Sequence, residues 1–176
     1  MITDLRYPIG RFARPASFTE ASRAAAIAAI ADTPMRLRDA VHGLSDMQLN
    51  TPYRPEGWTV RQVVHHVPDS HINAYVRTRL ALTEENPAVK TYDETKWAEL
   101  ADAKSMPVDV SLAMLEAIHA RWVTLLRAMT PAQFSRTFNH PENGPTTLDT
   151  MVAMYGWHGA HHVAHVRELR RREGWS

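Results

Sequence analysis

The 176-residue chain is 44 % hydrophobic and 22 % charged, enough apolar material for a packed core and unlike the composition of a disordered chain. Twenty Lys and Arg against nineteen Asp and Glu leave a net charge of +1, no field for nucleic acid or anionic lipid, and the longest apolar run (24–31) is far short of the roughly 20 residues a membrane span needs. The absence of cysteine excludes disulfides, thiolate metal ligands and a cysteine nucleophile, and with no secretory leader pattern it leads us to expect a cytoplasmic protein.

The expected organisation is one domain over 1–176, beginning with an extended arm (1–16) that carries two prolines before any periodic pattern. Ser17 and Glu20 have capping-box spacing, and the Ala-rich run after them predicts a helix to about Ala31. Asp32-Thr33-Pro34 is expected to break or kink it, with Pro34 opening a second piece to about Leu44. Prolines 52 and 55 with Gly57 mark 45–57 as loop, and the Thr59/Gln62 pair starts a helix running to about Glu84. A connection (85–92), a helical turn near Asp93–Leu100 and a loop ending at Pro107 follow. Leu112, Leu115, Ile118, Trp122, Leu125 and Leu126 give 108–129 an amphipathic helical period. Thr130-Pro131-Ala132-Gln133 caps one short turn, 135–146 is irregular with a small hairpin around Asn143-Gly144, and the last helix runs from Thr147 to Glu173 before Gly174. Strand alternation is nowhere sustained. The sum is an all-α four-helix bundle with short extra turns.

Histidine is the unusual residue: seven of ten lie in 65–71 and 158–165. The last helix contains H-x-x-x-H in two registers, 158/162 and 161/165, and an i,i+4 pair places two imidazoles on one face close enough to share an ion. At about 100° per residue, Leu148, Met151, Val152, Tyr155, Val166 and Leu169 define the buried stripe. His162 falls within it and His158 on its edge, whereas His161 and His165 lie further toward solvent. A third ligand should come from another helix, where periodicity favours His71 over His66 and His65. Pro68 sits among these three and should kink the helix beside them.

Two segments carry a family resemblance. Gly57-Trp58-Thr59-Val60-Arg61-Gln62-Val63-Val64-His65-His66-Val67, with Asp69-Ser70-His71 after it, resembles the first metal motif of the DinB/YfiT superfamily, and Tyr155-Gly156-Trp157-His158-Gly159-Ala160-His161-His162-Val163-Ala164-His165 resembles the second. The stretches 5–12 and 92–100 are similar to the YfiT-like branch. The resemblance implies an up-down-down-up bundle, a homodimer, and one divalent metal held by His66, eight residues after Trp58, together with His158 and His162. It thus replaces His71 by His66 and agrees with periodicity on the last helix.

Three neutral imidazoles leave an ion net positive with an open position, which suits catalysis better than structural support. Zinc is the first expectation and nickel the second. The last helix lacks the Glu of H-E-x-x-H, so it brings no general base of its own. The resemblance implies a metal-dependent hydrolase, which would activate water for attack on a small molecule. The alternative that the resemblance also implies is an S-transferase activating a low-molecular-weight, bacillithiol-like thiol, which the cysteine-free chain would need as co-substrate. A non-catalytic metal-binding or stress-response scaffold is the third possibility. Gln62 and Asp69 are candidates to orient a ligand, although Gln62 also serves the capping box and Asp69 also suits the surface. Arg61 and Arg77 are candidates for a thiol's carboxylate, with exposed helix positions the simpler expectation. His65, His161 and His165 are read as rim or exposed, Trp58 and Trp157 as core anchors, and Arg167 with Arg170–Arg172 as a solvated helix end.

Overall fold

A computed structural model describes residues 4–175; the first three residues of the expected arm lie outside it. Helix α1 (Glu20–Val41) begins one residue pair away from the expected box: Thr19 accepts from the Ser22 backbone N–H, and Ser22 returns the bond to Thr19. The helix is not broken at Asp32-Thr33-Pro34 but continues through Pro34 and stops at Val41 rather than Leu44. A short turn, α2 (Asp46–Leu49), capped by Ser45 and Gln48, interrupts the expected loop. Helix α3 (Val60–Thr83) starts at the Thr59/Gln62 box as expected and likewise passes through Pro68.

Helix α4 (Glu94–Ala98) is the expected turn, and α5 (Ala101–Ser105) forms where a loop was expected. Helix α6 (Val108–Ala128) and the Pro-initiated turn α7 (Pro131–Phe134) follow the sequence reading. Strands β1 (Thr137–His140) and β2 (Gly144–Thr147) pair antiparallel, with Gly144 at φ 65°, where a side chain would be strained. Helix α8 (Leu148–Glu173) is capped by Thr147 and ended by left-handed Gly174.

Contacts along the four long helices give their directions. Arg23 meets Asp149, Ala26 meets Gly156, and Arg170 reaches the carbonyl of Ala40, so α1 and α8 run parallel. His65 meets Ser111 and Thr78 meets Trp122, so α3 and α6 are parallel as well. Tyr155 bonds Ser70 and His162 lies beside His66, which sets α8 against α3. The bundle is thus up-down-down-up.

Its apolar core falls into two parts. One gathers Ile27, Ile30, Ala74, Trp122, Leu126 and Tyr155; the other gathers Leu37, Val63, Val67, Leu115, Val163 and Leu169. On every long helix polar residues or proline stand where the two parts meet: Thr33 and Pro34, then His66, Pro68, Ser70 and His71, then His119, and finally His158, His161 and His162. A histidine layer crosses the waist of the bundle.

Candidate metal centre

His66 projects from the second turn of α3, held there by the Thr59 cap and by Val60, Val63, Val64 and Val67 in the core. His158 and His162 project one turn apart from α8. That helix lies tight on α1: a Cβ added at Gly159 would sit 2.3 Å from Thr33 Oγ1. The three side chains converge, with one nitrogen from each within 4.8 Å of the others. His158 Nε2 lies 3.4 Å from His66 Nε2 and 3.2 Å from His162 Nε2. Ligands at zinc–nitrogen bond length around a tetrahedral ion stand about 3.3–3.4 Å apart, close to these two spacings. His71, favoured by periodicity alone, is fully buried one step behind, its Nε2 3.1 Å from His158 Nδ1.

Burial holds all three imidazoles neutral. It pushes His66 down to about 4 and His158 and His162 well below the ordinary histidine value, and the neighbouring imidazoles add to the effect. The neutral ring is the ligating form.

The cluster opens onto a cleft of about 480 Å³, with Trp58, Trp157, Tyr53 and Arg54 in its walls. A second cavity of about 430 Å³, which includes Arg77, Tyr92 and His140, shares His158 and Glu94 with the first. Among the described residues, the buried Tyr92 hydroxyl, Trp157 Nε1 and His161 Nδ1 have no protein hydrogen-bond partner, and each residue lines one of these cavities.

Several expected exposures are reversed. His161 and His165 are buried because the N-terminal segment crosses α8: Tyr7 stacks on His161, and the Arg6 carbonyl is 3.1 Å from His165 Nε2. Tyr53 covers the other face of this pair, 4.1 Å from the His165 ring. His65 is also buried, bonded to Ser111 Oγ and the Met106 carbonyl. Arg61 is a buried clamp, not an exposed helix residue, donating to Asn50, Asp46 and the Met106 carbonyl. Gln62 adds bonds to the Ala98 carbonyl and Glu99, which tie α4 to the first turn of α3. Asp69 is half-buried, and its carboxylate bonds none of the clustered histidines among the described residues. Trp58 and Trp157 are cleft walls beside His66 and His161 rather than central core anchors. Of the basic cluster, Arg170 donates to the carbonyls of Ala40 and His42 at the end of α1, and Arg172 to that of Tyr53.

One important residue escaped the sequence reading. His119 is 2 % exposed, stacks on His71, and bonds it through Nε2 at 2.8 Å. The signal was available: His119 occupies the core register of 112, 115, 119, 122 and 126, where an apolar residue belongs.

The fold and this centre place the chain in a known class. It belongs to the DinB superfamily, whose model matches residues 29–166. Among similar proteins is one of Bacillus mycoides (strain KBAB4) named "putative metal-dependent hydrolase", 54 % identical over 98 % of this chain and 99 % of its own length. A Bacillus cereus (strain 03BB102) protein of the same name is 53 % identical over 99 % of this chain and 100 % of its own. Among solved structures, Bacillus subtilis YfiT, "a probable metal-dependent hydrolase with an unusual four-helix bundle topology", superposes with a TM-score of 0.95 at 47 % identity, covering 98 % of this chain and 99 % of that one. A divalent metal is implied by the relatives' names together with the histidine cluster.

Proposed function

We propose that this protein is a metal-dependent hydrolase of a small-molecule substrate, holding one divalent ion on His66, His158 and His162. The observation that carries the proposal is the convergence of three neutral imidazole nitrogens, two pairs of them at 3.2 and 3.4 Å, on the floor of an open cleft. A bound ion supplies Lewis acidity, acidifying water and polarising a carbonyl or phosphoryl oxygen. The protein's part is to keep the three rings uncharged and aligned. Trp58 and Trp157 give the cleft apolar walls. Glu56 and Glu94 line the cleft, and partial desolvation at the cleft mouth shifts the carboxyl of the otherwise exposed Glu94 upward. Zinc suits the donor set first and nickel second.

The test is turnover of an ester, amide and phosphoester panel by zinc- or nickel-loaded protein, with and without added low-molecular-weight thiols. Turnover without thiol that disappears in His162→Ala, while wild type regains it when metal is restored after chelation, supports the hydrolase. Strict dependence on a thiol supports the S-transferase instead. Metal uptake with no turnover of any electrophile supports a metal-binding scaffold.

A further inference from the structure

Behind the proposed ligands, a line of side chains runs from His158 across the bundle to helix α1. Pro34 has no N–H, so the carbonyl of Ile30, four residues earlier, lacks its helical donor. His119 Nδ1 stands in that place, 2.6 Å from the Ile30 oxygen. His119 Nε2 is 2.8 Å from His71 Nδ1, and His71 Nε2 is 3.1 Å from His158 Nδ1. We propose that His71 and His119 are positioning residues that, anchored on the carbonyl freed by Pro34, fix His158 in the tautomer whose bare Nε2 faces the metal.

The direction of every bond follows from the far end. A carbonyl only accepts, so His119 Nδ1 carries the proton. A neutral His119 then has a lone pair on Nε2, which requires His71 Nδ1 to donate. His71 Nε2 is left as an acceptor, so His158 Nδ1 donates to it, and His158 Nε2 is bare. Neutrality is enforced by burial, since His71 is 0 % and His119 2 % exposed and neither bonds a carboxylate among the described residues. A shorter branch has the same logic: His165 Nε2 donates to the Arg6 carbonyl at 3.1 Å, so its Nδ1 accepts from His162 Nδ1 at 3.4 Å. Both α8 ligands are thereby turned with Nε2 toward the cleft. Partners of this kind orient a ligating imidazole and raise its basicity.

The proposal rests on the metal-site reading above, and two measurements separate the two. Long-range proton–nitrogen spectra of ¹⁵N-labelled protein, metal-free and zinc-loaded, should show His71, His119 and His158 protonated at Nδ1. Nε2 protonation of His71 or His119 overturns the relay, and these spectra decide it even where a variant fails to fold. Zinc affinity, measured by competition with a chromophoric chelator, should fall about 10–100-fold in His71→Leu. His71→Gln should recover most of that loss, because its amide accepts from His158 and donates to His119. Wild-type affinity in folded His71→Leu, or equal losses in both variants, overturns the positioning role. Wild-type protein that takes up no zinc overturns the metal reading itself, a result distinct from zinc uptake with the wrong tautomer.

Discussion

A buried imidazole without a counter-ion is stable only while neutral, and this chain stacks several of them in one layer. His119 shows the consequence for stability. Its pKa is pushed down to about 4 by burial, against 6.5 for an ordinary histidine. Between those values the unfolded chain holds a proton that the folded one does not. Stability is therefore complete above about pH 6.5 and declines as the pH falls toward 4, by on the order of 3 kcal/mol from this residue alone. Asp69 works the other way, since burial raises it from 3.8 to about 6 and the folded form then binds the proton more tightly between those values. One half-buried carboxyl does not offset a layer of buried imidazoles. Urea unfolding of the metal-free protein at pH 7.5, 6 and 5 should give a falling free energy; a flat profile would show that these rings are already solvated. At the same scale, His162→Ala should remain folded yet lose bound metal by elemental analysis, because two imidazoles rarely hold an ion firmly.

The elements that carry the histidines are placed by close packing. Helices α1 and α8 meet at Gly156 and Gly159, where an added Cβ would lie 3.1 Å from the Ala26 carbonyl and 2.3 Å from Thr33 Oγ1, respectively. Thr33 is buried, β-branched and bonded to the Ala29 carbonyl, so it has little room to yield. Gly159→Ala gains helix propensity but overpacks the crossing, and a net destabilisation of about 1–2 kcal/mol is expected by urea titration. Adding Thr33→Ala should restore part of it, a coupling that independent sites would not show. At the N-terminal ends of the same helices, Arg23 grips buried Asp149 with bonds of 2.6 and 2.8 Å, which sets their register. The two prolines show where local rules stopped short. The segment at Pro34 was expected to break or kink the helix, yet His119 on α6 donates to the carbonyl that Pro34 leaves free, and α1 runs unbroken to Val41.

Over the whole molecule, the histidine layer divides one core into two, and a metal shared by α3 and α8 would join them. Ligand that binds only the folded state stabilises it by mass action, about 2.7 kcal/mol at a hundredfold excess over Kd. For a chain of this size, saturating zinc should raise Tm by roughly 5–10 °C, and chelator should reverse it. A Tm independent of both would mean that the cluster takes no zinc.

Much of this was legible in one dimension. The four long helices, the Thr59, Thr130 and Thr147 starts, the Gly174 stop and the His158/His162 pair follow from local spacing, because capping bonds and i,i+4 faces involve residues within one turn of each other. The preference for His66 over His71 came from the family motif and not from periodicity, whereas the burial of His65, His161 and His165 and the partners of His119 were decided by the tertiary structure. Each depends on a group distant in sequence: the Arg6 and Ile30 carbonyls, Ser111, or the facing helix. A helical wheel reports which side of its own helix a residue occupies; only the packed bundle shows what stands opposite and how its polar groups find partners.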